Sequence, residues 1–170
     1  MRTSITLDLP LPTDAAVRLV NDPEFIRHKA AQAGSKVLTV DVTSGTDGSY
    51  TSAVRRVIPS DQIPAQARSF VGSELEIRQT EAWAEPTEGA DGRRFGTVSV
   101  EITGAPVRMT GSITLVPAAG GSTMTYEGEI KSTVPLFGAS IEKAAAEAIR
   151  QALTAEAATA SDWIATHPQD

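Results

Sequence analysis

Apolar and polar residues alternate along most of this chain, and the alternation breaks off in two places. From Arg2 to Leu9, Ile5, Leu7 and Leu9 take one side while Thr6 and Asp8 take the other, the period-two signature of a half-buried strand. The same rhythm returns over Lys36–Ser44 (Leu38, Val40, Val42), Ser49–Ile58 and Glu74–Trp83 (Leu75, Ile77, Trp83). It continues over Arg94–Ile102 (Val98, Val100, Ile102), Arg108–Val116 (Met109, Ile113, Leu115) and Thr123–Thr133 (Met124, Tyr126, Ile130). Turn chemistry separates these runs at Gly45–Gly48, Glu88–Gly92, Gly104–Pro106 and Ala119–Ser122. One wet face per strand is the pattern of an antiparallel sheet. Gly111 and Gly128 fall within the inward rows, where glycine marks a bend or a close approach of backbones.

The first break follows Pro10 and Pro12. Thr13 or Asp14 can cap a short helix over Ala15–Val20, and Asp22-Pro23 opens a second one that Gly34 closes. A shorter helical turn is expected over Ala65–Val71, between Pro64 and the next strand. The second break is the C-terminal stretch from Pro135 to His167, which has no proline after its start and is rich in alanine and glutamate. At 3.6 residues per turn, Phe137, Ile141, Ala145, Ala148, Ile149, Ala152, Thr159, Ala160 and Trp163 share one broad face. A helix of this length runs roughly 40 Å. Its apolar face is mostly alanine, which either packs tightly on its partner or leaves room beneath. Glu156 is the one charged residue in that face.

The expected fold is therefore α+β: a curved antiparallel sheet of about seven strands, in the order β-α-α-β6-α, gripping a long C-terminal helix. The helix is the one element large enough to cover the sheet's apolar face. The whole chain, 1–170, reads as one domain, since no repeat or linker interrupts it.

Composition narrows the function. The net charge is −6, without the basic fields that phosphate backbones require, so no nucleic-acid partner is expected. The absence of cysteine rules out disulfides, thiolate catalysis, iron–sulfur clusters and cysteine-based zinc sites. The two histidines, His28 and His167, are far apart, and neither a metal nor a cofactor is expected. His28 reads as a helix-surface or lid residue. MRTSITLDLPLP has no continuous apolar leader core and no run is long enough to span a bilayer, so a cytoplasmic protein without integral membrane association is expected.

The order of elements, together with NDPEF (Asn21–Phe25), QTEAW (Gln79–Trp83) and VPLFG followed by IEK (Val134–Lys143), resembles the START-like superfamily. This is the helix-grip fold of the polyketide cyclase and lipid-transport proteins, also called SRPBCC. Within it, the chain is similar to an uncharacterised bacterial family. The resemblance implies a sheet curved round the last helix, with a cavity between them that holds a small hydrophobic molecule such as a lipid. Members share no universal catalytic residue, so the resemblance transfers no catalytic role.

Candidate site residues follow from the inward rows. Gln79 and Glu81 share a strand row with Leu75, Ile77 and Trp83, and two polar groups buried there need partners, water or a ligand. Arg56 lies in a row with Tyr50, Val54 and Ile58 and is placed to pair with Glu81. Leu7, Ile77, Val100, Met109, Ile113, Tyr126 and Ile130 are expected to supply an apolar lining, opposed by Ala145, Ile149, Ala152 and Glu156 from the helix. The GTDG turn at Gly45–Gly48 lacks the GK[ST] ending of a phosphate loop and reads as a hairpin turn. Two other functions fit the same residues: a cyclase- or dehydratase-like enzyme using Glu81, Arg56 or Glu156 for acid–base chemistry, and an interaction module whose core is simply filled. Cavity volume separates binding from the module. Convergence of two titratable groups inside it separates binding from the enzyme.

Overall fold

The computed structural model describes residues 1–63, 65–69 and 71–168. Strand β1 (Arg2–Leu9) is followed by helices α1 (Thr13–Val20) and α2 (Pro23–Gln32), then by the hairpin of β2 (Lys36–Ser44) and β3 (Tyr50–Pro59). A 3-10 turn (Ser60–Gln62) and a one-turn helix α3 (Ala65–Arg68) lead into β4 (Glu74–Trp83), β5 (Arg94–Thr103), β6 (Val107–Ala118) and β7 (Gly121–Ser132). The chain closes with α4 (Gly138–Thr166). The expected turn at Ala65–Val71 is present at its first four residues, while Pro64 and position 70 lie outside the described residues.

All seven strands form one antiparallel sheet in the order β1-β7-β6-β5-β4-β3-β2. The first two strands in sequence thus occupy opposite edges, and α1 and α2 carry the chain from one edge to the other. The junction of those helices is built from local chemistry. Asp22 Oδ1 accepts from the Glu24 backbone N–H at 2.8 Å with Pro23 next to it, while the buried Asn21 side chain donates to the Val17 carbonyl at 2.8 Å.

Two glycines meet across the β6–β7 pair. Gly111 of β6 lies opposite Gly128 of β7 and next to Val98 of β5. A Cβ on Gly111 would collide with the Glu127 carbonyl and the Gly128 backbone, and one on Gly128 would meet Met109 Cε and the Thr110 carbonyl. Close backbone approach is therefore the reason for both. They bring strands together and do not themselves create room above the sheet.

Three sequence expectations are corrected here. Leu38 is 41% exposed and not inward, because a β-bulge between Val37 and Thr39 inserts it as an extra residue on the edge strand. Helix α4 starts at Gly138 and not Pro135, because Leu136 turns the chain with φ 66° and cannot join a right-handed helix. Phe137 is consequently 54% exposed at the helix cap, and the buried positions of α4 are Ile141, Ala146, Leu153, Ala160 and Trp163.

Trp163 anchors the far end of α4. Its ring meets Phe25 edge-on at 5.8 Å, approaches His28 at 4.9 Å, and stacks on His167 at 3.7 Å. The anchor is thus made with α2 and with the end of the chain. A second tie is made by Arg94, 4% exposed, which donates to Asp14 at 2.9 Å and to the carbonyls of Gly48 and Ala84 at 2.8 and 3.0 Å. One guanidinium therefore ties α1 to the Gly45–Gly48 turn and the end of β4.

Candidate functional site

Helix α4 lies over β1 and β7, and α2 leans on β2. Between these two lines of support the helices touch β5 and β6 in part only and do not pack closely on β3 and β4. Four of the α4 residues that look down on these strands are alanines, Ala144, Ala145, Ala148 and Ala152, too short to reach across. The result is a cavity of about 550 Å³ roofed by α4 and floored by the sheet. That volume is in the range of sites for small organic molecules.

The floor is apolar along most of its length. It is formed by Ile58 of β3, Leu75 and Ile77 of β4, Val98, Val100 and Ile102 of β5, and Val107 and Met109 of β6. Tyr126 reaches it from β7, and Ile63 and Val71 close one side. Of the residues expected from the sequence, Arg56, Ile77, Gln79, Val100, Met109, Tyr126, Ala145, Ile149, Ala152 and Glu156 stand on its wall. Leu7, Ile113 and Ile130 do not: they lie in the packed core, at 6%, 0% and 0% exposure, under the part of the sheet that α1 and α4 cover directly. Glu81 is set back from the main cavity, beside a crevice of about 10 Å³ that it shares with Lys29, Arg56, Gln79 and Ser52. Leu153, Ile141 and Lys29 also line the cavity and were not singled out from the sequence. Leu153 follows Ile149 by about one helical turn and so shares its face.

Polar groups gather at the α2 end. Lys29 of α2 and Glu156 of α4 form an ion pair at 3.0 Å, with side chains only 14% and 12% exposed. Glu81 accepts from Gln79 Nε2 at 2.8 Å and from Trp83 Nε1 at 3.3 Å. The expected Arg56–Glu81 pair does not form, because the β3–β4 register sets Arg56 opposite Ile77 and gives Ser52 to Glu81. Arg56 Nε is buried without a hydrogen-bond partner.

The electrostatics follow from this placement. Burial is the main reason that the Glu81 carboxyl titrates above the usual range. Glu156 adds to the rise, while Lys29 and the bonds from Gln79 and Trp83 oppose it. Tyr126 is held well above the ordinary phenol value, first by burial and then by the nearby carboxylates of Glu81 and Glu156. Burial lowers the Arg56 guanidinium, and the charge of Glu156 partly restores it. Among the described residues no group of three or more metal-ligating side chains comes together. No described helix is long and apolar enough to cross a membrane.

The architecture recurs in solved structures. A START superfamily protein from Mycobacterium smegmatis aligns with a TM-score of 0.57 at 13% identity, over 95% of this chain and 97% of that one. Protein TTHA0849 from Thermus thermophilus aligns with a TM-score of 0.58 at 14% identity, over 99% of each chain. At such identities the likeness is one of fold alone, shared with that START superfamily protein. In sequence, the uncharacterized protein Rv0481c of Mycobacterium tuberculosis is 27% identical over 123 residues, 71% of this chain and 69% of its own length. The profile of the family described as "Protein of unknown function (DUF2505)" matches residues 4–164, from the first strand to the end of the long helix, and the chain belongs to that family.

Proposed function

We propose that this protein binds, and carries or senses, a small hydrophobic molecule in the space between the sheet and α4. The observation that carries the reading is the apolar cavity of about 550 Å³. A chain of this size whose only task was to be compact would lose dispersion contacts by leaving such a volume open. Alanines along the roof keep it open. The START-like fold supports the same reading, since its members commonly hold apolar ligands at this place.

Ala152 sits at the centre of the roof, one turn from Ala148 and one from Glu156. Ala152→Trp should fill the space and abolish uptake of a neutral apolar dye that the parent protein binds. The unfolding midpoint should stay within about 4 °C, the change that roughly 1 kcal/mol makes at this length. In a filled core the same substitution overpacks and costs about 1–3 kcal/mol. A parent protein that takes up no dye, or a variant that binds it as well as the parent, removes the reading. Native mass spectrometry of protein purified from its own host would then identify a retained ligand.

A further inference from the structure

One cation at the α2 end of the cavity has a buried donor without an acceptor. Four chargeable side chains meet there from four elements: Lys29 from α2, Arg56 from β3, Glu81 from β4 and Glu156 from α4. Lys29 is matched with Glu156 at 3.0 Å. Glu81 is held by Gln79 and Trp83. Arg56 is left over. It lines both the main cavity and the small crevice beside it, and its Nε has neither a partner nor contact with solvent.

The buried Nε–H is costly to the fold, since a donor without an acceptor loses its hydration, and the charge of Glu156 offsets only part of that. A bound ligand can supply the missing acceptor. On the reading that the cavity holds an apolar molecule, we propose that this molecule is an amphipathic monoanion. Its apolar tail lies beneath the alanine roof, and its single carboxylate rests on Arg56, beside Gln79 and the Lys29–Glu156 pair.

Geometry and charge both favour that head group. A carboxylate presents two coplanar oxygens to the guanidinium fork, a fit that a hydroxyl or an ester carbonyl cannot match. Arg56 and Gln79 both offer N–H donors toward the cavity end, which suits a head that only accepts. The count is one negative charge. Glu156 already engages Lys29 at 3.0 Å, so Arg56 has one positive charge to offer, which a single carboxylate matches. A dianionic phosphate would leave an uncompensated negative charge facing Glu156 and Glu81. The tail has the cavity's apolar floor, from Ile77 and Val100 to Ile102 and Val107.

Dodecanoic acid, its methyl ester, dodecyl phosphate and a neutral apolar dye, titrated near neutral pH against the parent protein and Arg56→Met, test this. The acid should bind the parent at least about tenfold more tightly than the ester, a difference of one good charge-assisted contact. Arg56→Met should remove that advantage, so that acid and ester bind it alike, and a cooperative thermal melt shows that the variant is folded. Dodecyl phosphate should bind more weakly than the acid. Equal binding of acid and ester by a parent protein that takes up the dye overturns the head-group assignment and leaves the cavity reading standing. Tighter binding of the phosphate overturns the single-charge count. A parent protein that binds neither the dye nor any of the lipids overturns the cavity reading itself, and this proposal with it.

Discussion

Arg56→Met should make the ligand-free protein more stable. The substitution removes a guanidinium whose Nε is buried without a partner. An unsatisfied buried polar group costs about 1–3 kcal/mol, and more when charged. Attraction from Glu156 offsets part of this, but Glu156 keeps Lys29 at 3.0 Å when Arg56 is gone and is not orphaned. Methionine retains an unbranched stem against the cavity wall. The net gain should be about 1–2 kcal/mol. For a chain of this length each kcal/mol moves the midpoint by about 2–4 °C, so the melting temperature should rise by about 2–8 °C. Urea melts of ligand-free protein measure it, with an unchanged slope showing that the unfolding reaction is the same. The neighbouring Arg55 is the control. It faces the other side of the sheet, exposed to solvent, and donates to Glu76 at 2.7 Å. Arg55→Met should cost at most about 1 kcal/mol, as surface ion pairs do. A loss of about 1 kcal/mol or more in Arg56→Met would mean that the guanidinium already stabilises the empty protein, and the case for a reserved binding group would fall.

Two further outcomes are expected. The Glu81 carboxyl titrates above its unfolded value, so it contributes stability in acid that is lost as pH rises through its folded pKa. Glu81→Gln should therefore show less decline in stability than the parent as pH rises from the ordinary carboxylate range toward neutrality. Denaturant melts across that window measure the difference, and parallel curves would refute it. Trp163→Ala should cost about 3–5 kcal/mol, because it empties the contact with Phe25 and His28 that pins the end of α4 to α2. A change below about 1 kcal/mol in a thermal melt would show that this end of the helix is held by something else.

The fold was largely legible from the chain alone because its signals are local and periodic. Alternation in runs such as Arg108–Val116 and Thr123–Thr133 reports which face of a strand is dry, whatever it packs against. The long alanine-rich stretch with no internal proline specifies a helix before anything covers it. Where local signals misled, a backbone irregularity intervened. The bulge at Leu38 and the left-handed turn at Leu136 each shift residues by a step that composition does not encode. The face of α4 was read correctly as small, but small residues are compatible with contact or with space. That choice depends on how far the sheet curves away from the helix, which the whole architecture decides. Position on the cavity wall was likewise a tertiary outcome. Leu7, Ile113 and Ile130 share inward rows with Met109 and Tyr126, yet helices rest directly on the first three. The polar cluster shows the limit most clearly. The sequence marks Arg56, Glu81 and Glu156 as unusual because each is charged within an apolar row. Which of them pair depends on strand register and on the approach of α2, and only the assembled protein joins Lys29 to Glu156 and leaves Arg56 without a partner.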